Sequence, residues 1–205
     1  MFRSLLALVF LAFGLAGCGT VRLVDTDVRS YATPPGVPLG ASYRFERLPS
    51  QQANAAQQTR LEAMAQQALA KVGLRRNDSA ASYSVQVSVG MKVDPYSPWD
   101  RPAISGGAGW NLGVGIHTGN VLIAGGGPIL GMPGFGLGEQ PYYWRQISLI
   151  IRHLSTNQVV YETHAAHDGR WADNAAVLPA MLDAALTGFP NPPAGVRRIN
   201  IEIPR

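Results

Sequence analysis

The chain has 205 residues, a net charge of +4 and a single cysteine. This length fits one domain with or without a tail, and one cysteine excludes both a disulfide framework and a cysteine-based structural zinc site. A hydrophobic fraction of 46% is ordinary for a folded protein and argues against global disorder. The 17 basic residues are scattered along the chain, so nucleic-acid binding is not expected.

The first 17 residues have the parts of a secretory signal peptide. Arg3 supplies an early positive charge, an apolar run extends from Leu5 to Phe13, and small residues follow. Such a segment is too short to span a bilayer as a permanent helix. We therefore expect residues 1–17 to be a lipoprotein signal peptide that is removed.

This segment ends in Leu15-Ala16-Gly17-Cys18, which resembles the lipobox of bacterial lipoproteins. In that motif the cysteine thiol accepts a diacylglyceryl group before the chain is cut in front of it. Because Cys18 is the only cysteine, we favour lipidation over the alternative of an ordinary signal peptide with an incidental cysteine. Lipoproteins kept on the inner membrane tend to have Asp at the next position, whereas Gly19 follows here. The resemblance implies an outer-membrane protein, anchored by acylated Cys18 and facing the periplasm.

Residues 18–40 are predicted to form the lipidated cysteine and its tether. Three prolines (Pro34, Pro35, Pro38) favour extended chain, which at ~3.1 Å per residue could lift a domain up to about 70 Å from the lipid. A short strand is expected near Val21-Val24. The single folded domain is predicted over residues 41–205.

Two periodicities predict the elements of this domain. Apolar and polar residues alternate in strands near 43–48, 82–89, 147–151, 159–163 and 199–203, with a turn at Ser155-Thr156-Asn157. Spacings of three and four predict two helices. Their apolar stripes are Leu61, Met64, Ala65, Ala68, Leu69, Val72 and Leu178, Met181, Leu182, Ala185, Leu186, Phe189.

The helix ends follow from glycine and proline. Gly73 is the expected left-handed stop of the first helix, and the second should begin between Asn174 and Leu178 with Pro179 in its first turn. The order of elements predicts an α+β fold. We expect a two-layer sandwich, with a mainly antiparallel sheet, two helices on one face and a glycine-rich insertion.

Several short motifs resemble a family of bacterial lipoproteins catalogued as domain of unknown function 4136. The matching segments are Val24-Asp25-Thr26-Asp27, Tyr43-Arg44-Phe45, Leu69-Ala70-Lys71-Val72-Gly73-Leu74, Thr156-Asn157-Gln158-Val159-Val160-Tyr161 and Phe189-Pro190. The likeness covers most of residues 20–203. It implies an envelope location and an α+β fold, and it brings no activity, substrate or catalytic residue.

The insertion at 105–138 contains 13 of the 23 glycines and no Lys, Arg, Asp or Glu. Trp110, Leu112, Val114 and Ile116 alternate with small or polar residues, as in one strand of a hairpin. One interpretation is a low-complexity surface loop. The other is a hairpin that becomes ordered against a partner, a bilayer or sister subunits; a pore would then require oligomerisation.

No enzyme signature stands out. In His164-Ala165-Ala166-His167 the two imidazoles would share a face only in a helix; we expect extended chain here, with both side chains near the exit of a strand and Asp173 as a helix cap. The remaining candidates are isolated: the histidines His117 and His153, the acids Asp94, Asp100 and Glu139, and the tryptophans Trp99, Trp110, Trp144 and Trp171. The tryptophans could form a ligand platform, although packing on the core or sheet is the commoner role. We predict no catalytic, cofactor or metal site.

These observations predict a non-enzymatic, lipid-anchored module that binds an unidentified envelope protein or ligand. Its expected partners are membrane lipid, through acylated Cys18, and that envelope component, with no nucleic acid. The alternative is a self-assembling envelope protein that oligomerises, or inserts into membrane, through the glycine-rich hairpin.

Overall fold

A computed structural model describes residues 21–95, 97–99 and 141–204. These residues form seven strands and three helices. In chain order the elements are β1 (Val21–Ala32), β2 (Ser42–Phe45), α1 (Pro49–Ala53), α2 (Ala55–Lys71), β3 (Arg75–Arg76), β4 (Tyr83–Asp94), β5 (Tyr142–His153), β6 (Val159–Gly169), α3 (Asn174–Ala185) and β7 (Val196–Pro204).

The seven strands form one mixed, open sheet in the order β3-β2-β4-β5-β6-β1-β7. From β4 to β7 every neighbouring pair is antiparallel, whereas β2 is parallel to both β3 and β4. A mixed sheet with three helices fits the predicted α+β class. The sheet is less uniformly antiparallel than the sequence indicated.

The core lies between the sheet and the two longer helices. Helix α2 packs on β3 and β4, α3 packs on β1, β6 and β7, and the helices contact each other. Alternate strand residues are buried, as the period-two pattern requires. The predicted apolar positions Val85, Val87, Ile147, Leu149 and Ile151 are among them.

Strand β1 corrects the expected tether. Residues 21–32 form a 12-residue strand paired with β6 on one side and β7 on the other. Two of its inward-facing residues, Thr26 and Ser30, are polar, which disguised the alternation. The Ser30 hydroxyl is satisfied internally, because its oxygen lies 2.8 Å from the Thr163 hydroxyl and accepts a bond from Arg197 Nη2 at 3.1 Å.

The predicted helix starts and stops are confirmed, with one exception. Helix α2 ends before Gly73, which has φ +89°, and α3 begins at Asn174 with the Asp173 carboxylate accepting a bond from the Ala176 N–H. Pro179 is the exception. It is the sixth residue of α3 rather than part of the first turn, so the bond that its N–H would give to the Ala175 carbonyl is missing.

Two polar residues of α2 that lie outside its predicted apolar stripe are buried. Gln58 donates to the Val87 carbonyl at 3.1 Å, and the Glu62 carboxylate accepts two bonds from the Arg47 guanidinium at 2.6 and 2.7 Å. Arg47 follows β2 in the chain, so its bonds to Glu62 connect the loop after β2 to α2. These two buried polar side chains are therefore paired.

Tyr43, in β2, offers a stability test. Burial raises the pKa of its phenol to about 12, and within the described residues its hydroxyl has no hydrogen-bond partner. The folded protein thus holds the phenol proton more tightly than the unfolded chain, so stability falls as pH rises from about 10 towards about 12. Tyr142 and Tyr161 also have raised pKa values and contribute to the same fall.

We expect Tyr43→Phe to increase the free energy of unfolding by up to about 1 kcal/mol at pH 7, because it removes an unpaired buried hydroxyl. The decline in stability above pH 10 should also become shallower. Urea titrations from pH 7 to 11 measure both effects. Tyr31→Phe, at an exposed position, is the matched control and should leave the pH dependence unchanged; an identical profile for both variants would contradict the prediction.

Candidate functional site

Five strands meet at one end of the sheet, which we call the entry end. Here β1 begins, β4 ends, β5 begins, β6 ends and β7 ends, as the register pairs Val21 with Pro204, Asp94 with Tyr142 and Tyr143 with Gly169. Helix α3 also begins nearby, since Arg22 bonds its cap Asp173. The chain therefore enters the sheet at this end, three residues after the predicted lipidation site, as β1. It leaves the sheet at the same end, after β4, towards the glycine-rich segment.

A buried arginine and a buried histidine lie side by side beneath the start of α3. Arg145 of β5 and His167 of β6 are register partners, and their side chains are 2% and 5% exposed. Arg145 has the same strand parity as Ile147 and Leu149, so alternation directs it towards the helices. The core thus contains a cation where the pattern calls for an apolar side chain.

Arg145 holds the loop that leads into α3. Its Nε donates to the Asn174 side-chain oxygen at 2.7 Å, its Nη2 donates to the backbone oxygen of Trp171, and its guanidinium carbon lies 5.0 Å from the centre of the Tyr143 ring. Its Nη1 is buried with no partner among the described residues. Burial lowers the pKa of Arg145, because the charged form loses its hydration.

His167 is fixed by the backbone of β1. Its Nδ1 lies 2.7 Å from the Asp25 carbonyl oxygen. A carbonyl only accepts hydrogen bonds, so Nδ1 carries a hydrogen. Within the described part of the chain Nε2 is buried without a partner. The hydrogen bonds of Arg145 thus connect β5 to the loop before α3, and the hydrogen bond of His167 connects β6 to β1.

Arg22 also contacts the loop before α3. Its guanidinium stacks 5.1 Å from the centre of the Trp171 ring, and its Nη2 donates to Asp173 at 3.2 Å. That hydrogen bond, with the one from the Ala176 N–H, lowers the pKa of Asp173. The N-terminal cap of α3 is therefore bonded to the second residue of β1.

Large apolar side chains are exposed in the same part of the molecule as Arg22, Arg145 and His167. Trp144 and Trp171 are each 39% exposed, and Trp99, five residues after β4, is 78% exposed. Val21, Leu23 and Val93 are exposed as well. Trp99, Trp144 and Trp171 thus lie outside the core, and Trp144 packs on the sheet with its ring centre 5.5 Å from that of Tyr142. Trp110 lies outside the described residues.

The sheet surface that faces away from α2 and α3 has a shallow depression. Asp27, Arg29, Gln146, His164 and Val196 are among its lining residues, and its volume is about 350 Å³. His164 Nε2 lies 2.7 Å from the Glu162 carboxylate, and Arg198 binds Asp27 through two bonds of 2.9 and 3.1 Å. Such an open, ion-paired surface suits contact with another protein better than enclosure of a small molecule.

The structure separates the two histidines of the His164-to-His167 motif. They lie in extended chain on opposite faces of β6, as predicted, but β6 continues to Gly169, so His167 is buried within the strand rather than leaving it. Asp173 caps α3, also as predicted. In the described part of the chain no group of three His, Cys, Asp or Glu side chains is placed to hold a metal, and no helix is long and apolar enough to cross a bilayer.

Several sequence predictions fall outside the described residues. These are lipidation at Cys18, the insertion at 105–138, His117, Asp100 and Glu139. Arg145 was not among the predicted site residues. Its signal was an arginine in phase with the buried positions Ile147, Leu149 and Ile151.

The comparisons with known proteins identify the family. The fold defines an α+β domain, and the family model "Domain of unknown function (DUF4136)" matches residues 24–191. The chain belongs to this family. No curated protein matches its sequence.

Solved structures resemble the fold at low identity. A PDZ domain protein from Parabacteroides distasonis ATCC 8503 is 13% identical with a TM-score of 0.50; the match covers 93% of this chain and 41% of that one, so this chain spans about two fifths of its length. Two PelC dodecamers from Paraburkholderia phytofirmans are each 12% identical, with TM-scores of 0.43 and 0.40. They cover 79% and 82% of this chain and 95% and 99% of their own. At such identities the likeness concerns the fold alone.

The role of Arg145 can be tested with paired substitutions. Arg145→Lys keeps a buried charge but loses the planar fork, so we expect the free energy of unfolding to fall by about 2–3 kcal/mol. Arg145→Met removes both the planar fork and the charge, and we expect it to lower the free energy of unfolding by less than Arg145→Lys does. Urea denaturation measures both, with Arg152→Lys on the same strand as a matched control near zero. Equal values for Arg145→Lys and Arg152→Lys would show that the fork is not needed.

Proposed function

We propose that this protein is a lipid-anchored module of the bacterial outer membrane, facing the periplasm. The observation that carries the proposal is the position of the lipobox cysteine relative to the fold. Cys18 lies three positions before Val21, the first residue of a strand that is hydrogen-bonded on both sides. A lipid anchor at Cys18 would therefore hold the sheet close to the membrane, because β1 is an integral strand of that sheet.

The sequence around Cys18 supports the anchor and its location. Leu15-Ala16-Gly17-Cys18 provides the small residues and the thiol that lipidation needs, and two or more acyl chains make membrane attachment stable. Gly19, rather than Asp, favours transfer to the outer membrane. The predicted signal peptide ends at residue 17.

The described surfaces support a binding role rather than catalysis. The Nε and Nη2 atoms of Arg145 bond to Asn174 and to the loop before α3, and His167 Nδ1 bonds to β1, so these atoms hold the fold together. The open face of the sheet presents paired charges in a shallow depression. We propose that this face binds another protein of the envelope, and that the chain acts without turning over a substrate.

Radiolabelled palmitate tests the anchor. The wild-type chain expressed in bacteria should incorporate label and remain with the outer membrane, and Cys18→Ser should lose both properties because it lacks the acceptor thiol. Gly19→Asp should stay labelled but move to the inner-membrane fraction. A wild-type protein that is unlabelled and released in the soluble fraction would contradict the proposal.

A further inference from the structure

We infer that the entry end is a lipid-contacting surface, which rests on the headgroup layer of the membrane that holds Cys18. Its contact residues are the exposed apolar side chains Val21, Leu23, Val93, Trp144 and Trp171. The inference deepens the proposed function and depends on the acylation of Cys18.

The length of chain outside the described residues sets the first constraint. Only residues 19 and 20 separate Cys18 from Val21. Three Cα-to-Cα steps of about 3.8 Å reach at most about 11 Å. The headgroup region on each side of a bilayer is roughly 5–8 Å thick. An acylated Cys18 therefore holds the start of β1 within about 11 Å of its own attachment point, instead of at the end of a long tether.

The chemistry of the exposed side chains gives the second argument. All three tryptophans in the described part of the chain lie at the entry end or within five residues of a strand that ends there. Tryptophan favours the membrane–water interface, because its ring has an apolar body and a polar N–H. Leu23 and Val93 add aliphatic surface. Exposure that would be unfavourable in water is thereby relieved by contact with lipid.

Two cations of the entry end, Arg22 and Lys92, are compatible with approach to a headgroup layer because both are already paired. Arg22 is bonded to Asp173 at 3.2 Å, and Lys92 is bonded to Asp94 at 3.1 Å. Contact with lipid does not leave these two charges unpaired, because each already has an ion-pair partner. The long stem of Lys92, whose side chain is exposed, can also direct its charged group towards water while its methylenes lie against lipid.

The opposite end of the β5–β6 hairpin provides an internal comparison. Its turn contains Ser155, Thr156 and Asn157, all exposed and polar. Strand β5 has 12 residues at about 3.4 Å each, so this turn lies roughly 40 Å from the entry end. A tryptophan placed at Thr156 should therefore remain far from the lipid.

Tryptophan quenching by lipid tests the inference. The full lipidated chain, carrying Trp110→Phe so that only the three described tryptophans emit, is reconstituted into vesicles of phosphatidylethanolamine and phosphatidylglycerol with or without brominated acyl chains. The control carries Phe at positions 99, 110, 144 and 171 together with Thr156→Trp. Mass spectrometry verifies acylation of Cys18 in both, and circular dichroism verifies folding.

We expect brominated lipid to reduce the emission of the first protein roughly twofold, because its tryptophans lie at the interface, and to leave the control nearly unchanged. Equal, weak quenching of two acylated and folded proteins would overturn the inference while leaving the lipid anchor intact. That outcome would indicate that another envelope component, or this chain itself, covers the entry end. Absence of acylation would instead contradict the proposed function.

Discussion

Strand β1 is the element on which the rest of the structure depends. It pairs with β7 from Val21 to Arg29 and with β6 from Asp27 to Ala32, so without it β7 would lose its only partner strand in the described sheet. Helix α3 packs across the same three strands. Because β1 is also the strand that follows Cys18 in the chain, the proposed membrane anchor and the core of the fold share one segment. Its ladder hydrogen bonds resist any displacement of the anchor relative to the domain.

The loop before α3 shows how the helices are joined to this strand. Arg22 reaches the loop from β1, Arg145 reaches it from β5, and both bind it through charge-assisted or backbone hydrogen bonds. Bonds of this kind are stronger than those between neutral groups. They fix the start of α3 at the entry end, where the exposed tryptophans also lie. The buried cation has a cost in hydration, which its bonds to Trp171 and Asn174 offset only in part, since Nη1 has no partner among the described residues.

Much of the fold could be predicted from periodicity. The stripe through Leu61, Ala65 and Leu69 predicted α2, and alternation predicted β4 and β5, because these segments bury apolar residues on one side only. The pattern failed where buried positions hold polar residues whose partners are distant in sequence. Ser30 depends on Thr163 and Glu62 depends on Arg47, so neither could be recognised as buried from its neighbours.

Pro179 is tolerated inside α3 because that helix is buried against three strands, which outweighs one lost hydrogen bond. The candidate site was less predictable. The phase of Arg145 indicated its burial, but its partners Trp171 and Asn174 and the exposure of the tryptophans follow from the tertiary arrangement.

We propose that the α+β domain rests directly on the membrane surface, with the entry end against lipid and the open face of the sheet available to a protein partner. Neutron reflectometry of the lipidated chain on a supported bilayer measures this arrangement most directly, because it gives the profile of protein density along the bilayer normal. We expect protein density that begins at the headgroup layer, with a gap of no more than about 10 Å. A water-filled gap of several tens of ångströms between the headgroups and the domain would contradict it.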